Sequence, residues 1–303
     1  MRIGVDIRTL MDARYSGVSE YTYNLLTHML KFDKGNKYCL FYNSLKDVSP
    51  NIPNFKNTNI EYVKYSYPNK LLNYFLFKPF NLPKIDKRLG LDMIFMPHIN
   101  FIGLTRRKPS VLTIHDLSYI RYREYFSLRK NIWHKLINVK KLINNFSHVV
   151  AVSENTKADI VELCNVDDTR VSVIHSGINP SFRQLSRGNE KDNSELEKVK
   201  NKYHLPDDFI LFLGTVEPRK NIIGLMMAYD MLVKDDKVGE YNLIIAGMDG
   251  WKSKDIYKTW ENLECKERIK FIGYVDKDDK RAIYNLAKVF VYPSFYEGLV
   301  SRR

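Results

Sequence analysis

Short apolar, β-branched runs alternate with helical patterns along most of this chain. The segments RIGVDI, KYCLFYN, IEYVKY, LDMIFMP, SVLTIHD, HVVAVSE and RVSVIHSG read as strands. Several are apolar without interruption, the mark of parallel strands buried on both faces. Between them, VSEYTYNLLTHML sets Val18, Tyr21, Leu25, Leu26 and Met29 on one helical face. ENTKADIVELC does the same with Ile160, Val161 and Cys164, behind Ser153 as a cap. Strand then helix, repeated, predicts an α/β fold with a parallel sheet between layers of helices.

From Asn179 to Pro206 the pattern gives way to a polar, highly charged stretch with one short helix near its end, which reads as a connection between domains. The alternation then restarts with FILFLG, a helix from Ile222, YNLIIAG, a helix near Asp255–Leu263, RIKFIGYV, a helix around Lys280–Ala287, and KVFVYPS. The expected organisation is a first domain over 1–178, a linker over 179–206 and a second domain over 207–303. Two such α/β units predict a ligand site in the cleft between them, at the carboxyl ends of the strands.

With 303 residues, 44% of them hydrophobic, two cores of ordinary size are affordable. No apolar run approaches the roughly 18 residues of a membrane span, and MRIGVDIRTL lacks the apolar centre of a signal peptide. Cys39, Cys164 and Cys265 stand singly, without metal-ligand or disulfide spacing, which fits a reducing, cytoplasmic setting. The histidines His28, His98, His134, His148, His175 and His204 likewise lack metal-ligand spacing. The net charge of +13 is unevenly spread: residues 1–150 carry 24 Lys and Arg against 10 Asp and Glu, residues 151–303 carry 24 against 25. A basic first half implies either an anionic partner (a membrane surface, a lipid phosphate, a nucleic acid) or a Lys-rich solubilising surface. The aromatic, basic-flanked stretch Lys70–Lys84 either lies on a bilayer surface or packs on its own domain.

The strongest chemical signal is FLGTVEPRKNIIGL. A buried strand ends at Gly214, Arg219 and Lys220 follow a tight turn, and Asn221 is placed to cap the next helix. Two cations ahead of a helix amino terminus suit a diphosphate, although the spacing matches neither a Walker loop nor a dinucleotide fingerprint. The bland reading is a solvated basic turn. Glu297 follows the strand-like KVFVYPS; its carboxylate would be repelled by phosphates and so would serve sugar hydroxyls. A strand-end Glu on a solvated surface is the alternative.

The chain resembles the retaining, GT-B fold glycosyltransferases of the group 1 family (family 4), close to bacterial mannosyltransferases of lipopolysaccharide and capsule synthesis. The resemblance rests on GVSEYTYNLL, TIHDLSYI, VSENTKADI, VSVIHSGINPSF, LGTVEPRKNI, LIIAGMDGW, IKFIGYV and VYPSFYEGL, in order along most of the chain. It implies two Rossmann-like domains and a set of roles. Gly17 would bring its backbone to the donor phosphates. His115 would hydrogen-bond the donor sugar or the acceptor near the reacting centre, unless it is a buried histidine satisfied by main chain, with Asp116 as a helix cap. Arg219 and Lys220 would neutralise the departing nucleotide diphosphate in place of a metal. Backbone groups around Tyr274 and Val275 would read the base, and Glu297, with the amides of Gly298 and Leu299, would hold the sugar.

Two departures stand out. Thr215 occupies a place where many members carry Arg, and LVSRR follows YEG where members continue with a second Glu eight positions beyond the first. The expectation from the second is an incomplete second domain, marginal in stability, with little or no transfer unless another polypeptide supplies the remainder. The resulting reading is a metal-independent hexosyltransferase without cofactor. It would move mannose or a related hexose from a GDP- or UDP-linked donor to a lipid-linked polysaccharide, in the cytoplasm or peripherally on the membrane's inner face. Its rivals are an inactive remnant with residual sugar or nucleotide binding, and a nucleic-acid-binding protein suggested only by the basic half, for which no binding motif is present.

Overall fold

The computed structural model describes residues 1–68, 80–105 and 107–299; residues 70–79 of the aromatic stretch lie outside these. Two compact units result, one of Met1–Arg121, Arg129–Gly177, Gly298 and Leu299, the other of Tyr122–Leu128 and Ile178–Glu297.

The first unit is built on strands β1 (Arg2–Asp6), β2 (Lys37–Asn43), β3 (Ile60–Tyr65), β4 (Met93–Met96), β5 (Ser110–Ile114), β6 (His148–Ala151) and β7 (Val171–Val173). All pairings are parallel, in the order β3-β2-β1-β4-β5-β6-β7. The strand order turns back at β1, where Ile3 pairs with Tyr38 of β2 on one side and Met93 of β4 on the other. In such sheets the carboxyl ends of the two strands at the reversal bound a crevice. The helix Gly17–Phe32 buries Leu26 and Leu30 in a core with Val5, Ile7 and Leu40. Ser153 caps Glu154–Cys164 as expected, its hydroxyl accepting from the Thr156 amide at 3.1 Å.

The second unit repeats the plan with β8 (Phe209–Leu213), β9 (Asn242–Ala246), β10 (Ile269–Gly273) and β11 (Val289–Phe290), parallel, in the order β10-β9-β8-β11. Its apolar runs are explained by two-sided burial. Leu211, Ile244 and Ala246 face one core, packed by helices Glu190–Lys202 and Lys280–Leu286. Phe212, Leu243 and Ile245 face the other, packed by helix Ile222–Lys234 and the helix Lys254–Glu261. β11 is an edge of this sheet, with Val289 and Phe290 exposed.

The stretch 179–206, expected to be a linker, is part of the second unit. Its polar composition hides four anchors, Leu185, Leu196, Val199 and Leu205, all buried in the core. Arg183 and Asp192 close it further with paired contacts of 2.8 and 2.6 Å. The segment Tyr122–Leu128 also belongs to the second unit, its Phe126 ring stacked on Trp251 at 5.2 Å. Among the described residues no helix is long and apolar enough to cross a membrane.

Candidate functional site

In the second unit the chemistry collects where the strand order reverses. After β8, Gly214 donates its amide to Ala246 at 2.8 Å, and β9 runs into Gly247. Gly247 has φ +148°, and a Cβ there would lie 1.8 Å from the Gly214 carbonyl oxygen, so only glycine lets the two strand ends approach this closely. A one-turn 3-10 helix, Pro218–Lys220, then presents Arg219 and Lys220. They are not a solvated turn, being 9% and 6% exposed. Asn221 follows in the left-handed conformation, φ 55°, and makes no side-chain cap, contrary to expectation. Its positive φ redirects the chain between the 3-10 turn and the helix Ile222–Lys234, and its amide side chain lies over Gly224.

The loop after β11 folds onto this turn. Phe295 donates its amide to the Arg219 carbonyl at 3.0 Å. The Arg219 guanidinium donates to the Tyr296 carbonyl at 2.8 Å and to Glu217 Oε1 at 3.1 and 2.9 Å, and pairs with Glu297 Oε2 at 3.0 Å. Lys220 Nζ contacts Glu297 Oε1 at 2.5 Å and the Tyr292 hydroxyl at 2.6 Å, with the Tyr292 ring centroid 4.9 Å away. Burial holds the Tyr292 phenol above its ordinary pKa, so it stays protonated and accepts from the lysine. The sequence reading placed Glu297 in one receptor with the cations but on a different part of the ligand; the structure pairs all three directly, with Glu217 as a fourth member. Two cations and two carboxylates cancel formally. The cluster is therefore a neutral, largely buried network, and not an open positive patch.

Tyr274 and Val275 follow β10, at the far edge of the same sheet from β11. The Val275 side chain is buried in the core.

In the first unit, Gly17 opens the helix Gly17–Phe32 behind Ser16, whose hydroxyl accepts from the Ser19 amide at 3.4 Å. A Cβ at Gly17 would meet nothing within 4 Å. The unit itself does not require glycine there. Tyr21, one turn further along that helix, meets the His115 ring edge-on at 4.7 Å. His115, at the end of β5, has Nε2 2.8 Å from the Pro97 carbonyl oxygen. A carbonyl only accepts, so Nε2 carries the proton. Burial lowers the His115 pKa against the opposing pull of Pro97 and Asp116. The ring is thus neutral, with Nδ1 as an acceptor. Asp116 accepts from the Ser118 amide at 3.0 Å and from the Ser118 hydroxyl at 2.5 Å.

Gly298 packs in the first unit against His115. A Cβ on it would lie 1.7 Å from the His115 carbonyl oxygen. Its own carbonyl accepts from the Ser153 hydroxyl and lies 3.3 Å from Thr156 Oγ1. The expected site residues thus fall into two groups, His115 and Gly298 with the helix of Gly17 in one unit, and Arg219, Lys220 and Glu297 in the other. Tyr274 and Val275 stand apart from the latter group. Leu299 follows Gly298 and is partly exposed.

The sequence reading missed a cluster at the reversal point of the first sheet. Asp6, fully buried at the end of β1, is held by Arg8 through contacts of 3.0, 3.0 and 2.6 Å, and Arg8 also donates to the Phe101 carbonyl at 2.8 Å. Burial opposes ionisation of Asp6, yet the Arg8 charge and hydrogen bonds outweigh it and lower its pKa. His98 follows β4, 3.7 Å from Asp6; burial drops its pKa to about 4, so it is neutral, and its Nδ1 has no hydrogen-bond partner. The signal was position: DIR closes the first strand and MPH the fourth, at adjacent strand ends.

A family model described as Glycosyltransferase Family 4 matches residues 15–182, and one described as Glycosyl transferases group 1 matches residues 193–300. The chain is 30% identical over 200 residues to O-antigen chain mannosyltransferase B of Escherichia coli, an alignment covering 66% of this chain and 50% of that protein. The chain therefore spans about half the length of that curated relative. Among solved structures it is similar to sucrose-phosphate synthase of Thermosynechococcus elongatus, with TM-score 0.68 and 17% identity over 99% of this chain and 77% of that one. It is also similar to Anabaena HepE in complex with UDP-glucose, with TM-score 0.64 and 16% identity over 100% and 76%. These likenesses show the fold, that of GT-B glycosyltransferases. With more than half of its length matched by the first model, the chain belongs to glycosyltransferase family 4.

Proposed function

We propose that this chain is the sugar-transferring part of a hexosyltransferase that moves mannose or a related hexose from a GDP- or UDP-linked donor to a lipid-linked polysaccharide, with retention of anomeric configuration and without a metal. The observation that carries the reading is the Arg219–Lys220–Glu297 cluster at the reversal point of the second sheet. The family and the mannosyltransferase relative support the reaction class.

In this reading Glu297 occupies the two cations as an internal anion. A diphosphate carries more charge and more acceptor oxygens than one carboxylate, so it takes Arg219 and Lys220 and frees Glu297 for the sugar hydroxyls. Charge grows on the leaving diphosphate as the glycosidic bond breaks, and the preorganised cations stabilise it where a metal would otherwise act. The Gly17 amide, at a helix amino terminus with open space around it, meets a phosphate oxygen. His115 Nδ1 accepts from a hydroxyl near the reacting carbon, Nε2 being committed to Pro97. Tyr274 and Val275 offer backbone groups to the base, and the amides of Gly298 and Leu299 assist at the sugar. The basic first half faces the anionic lipid carrier at the membrane surface.

A thermal-stability panel of nucleotide sugars tests this. A diphosphate donor at about a hundred times its Kd is expected to stabilise the chain by about 2.7 kcal/mol, while hexose 1-phosphates give far less. If no nucleotide sugar raises the midpoint, the reading is wrong.

A further inference from the structure

Four aromatic rings in the second unit pack against one another in a row that the donor assignment leaves unused, with Phe295 at its exposed end. Tyr125 stacks on Phe295 with centroids 5.4 Å apart and planes 10° from parallel. Tyr122 stacks on Tyr125 at 5.9 Å and meets Tyr296 at 5.5 Å. Phe295 is 53% exposed, a large apolar ring open to solvent at the end of this row.

The face is held rigidly. The Phe295 amide is tied to the Arg219 carbonyl, so its backbone is fixed by the same turn that carries the cations, and its ring rests on Tyr125. The Trp251 indole donates to the Tyr125 carbonyl, and Phe126 packs under Trp251, which anchors the Tyr122–Leu128 segment from beneath. Ser294, the residue before Phe295, keeps a buried hydroxyl with no hydrogen-bond partner, a group that the protein alone leaves unsatisfied.

The surroundings select the occupant. Arg123 and Glu124 are exposed beside the rings, and Lys252 reaches the Glu124 carbonyl at 2.7 Å, so the apolar face has a charged rim. A lipid chain or a second protein copy favours a wider apolar area with its charges at a distance. A pyranose suits this arrangement: one face presents C–H groups, whose partial positive charge meets the negative face of an aromatic ring, while its hydroxyls point outward to a polar rim. We propose that the open face of Phe295, backed on its other side by Tyr125, is a stacking platform for a pyranose ring of the acceptor glycan. The inference rests on the transferase reading above and names the acceptor side of it.

The test uses mannotriose as the probe and the whole chain, with saturation-transfer NMR to detect the bound sugar face and a titration for affinity. Saturation is expected on ring C–H protons. Phe295→Ala and Tyr125→Ala are each expected to weaken mannotriose binding roughly three- to tenfold, Phe295→Trp to restore it, and GDP-mannose affinity to stay within about twofold in all three, since none removes a donor contact. Mannotriose affinity unchanged in both alanine variants would overturn the proposal. So would a Phe295→Ala variant whose only change is a lower sedimenting mass, which would make the face a contact between copies. If mannotriose binds at the platform but no nucleotide sugar binds anywhere, the donor reading fails and this one stands.

Discussion

Replacing Lys220 with methionine is expected to weaken binding of GDP or UDP by about 1.5–3 kcal/mol, roughly 10- to 150-fold, the range for a hydrogen bond to a charged group. Methionine fills most of the lysine's volume, so the buried turn keeps its packing. Glu297 retains Arg219 at 3.0 Å, so the carboxylate is not stranded without a partner, an outcome that costs about 3–5 kcal/mol elsewhere. The loss in affinity therefore reports the missing cation more than a collapsed site. Calorimetric titration of both nucleotides into parent and variant measures it, alongside the unfolding midpoint of each. Unchanged affinity for both nucleotides would remove Lys220 from the diphosphate site.

A second large effect is expected at Gly298. The methyl of a Gly298→Ala variant would stand 1.7 Å from the His115 carbonyl oxygen and 2.8 Å from its carbon. Both are backbone atoms with no rotamer to yield, so the chain at Gly298 must move away. That motion stretches the hydrogen bonds its carbonyl accepts from Ser153 and lies ready to take from Thr156. The expected cost is about 1–3 kcal/mol of stability, as for overpacking of a filled core. Urea unfolding of the variant beside Gly17→Ala separates this from a generic glycine effect, because a methyl at Gly17 meets open space. A Gly298→Ala variant as stable as the parent would mean that the contact with His115 is looser than described.

Much of the fold was legible because its strands are buried on both sides. Two-sided burial demands apolar residues at successive positions, and KYCLFYN gives β2 with the same limits as the structure. Helix limits set by a local cap were equally readable, as with Ser153 and Glu154–Cys164. The linker misreading has the opposite cause. Leu185, Leu196, Val199 and Leu205 are few and spread among charged residues, and the core they enter is assembled from strands that come later in the chain.

The site was legible as a list of residues but not as a network. Arg219 and Lys220 announce themselves by charge and Glu297 by position, yet their pairing depends on β11 lying beside β8, a neighbour relation the local pattern does not carry. Glu217 was passed over in the same motif for that reason. Asp6, Arg8 and His98 were missed because β1 and β4 are adjacent in the sheet and far apart in sequence. Asn221 misled in the other direction: Asn before a helix commonly caps it, but the residue also tolerates positive φ, and the turn uses that property.

The central claim is that two buried cations hold the donor's diphosphate without a metal. It is tested most directly by titrating GDP-mannose and UDP-glucose into the chain in excess EDTA and again in magnesium. The account predicts that at least one donor binds with the same affinity in both buffers, and that its affinity falls as salt rises, as expected for charge-assisted contacts. Binding that appears only with magnesium, or no binding of either donor in any buffer, would contradict it.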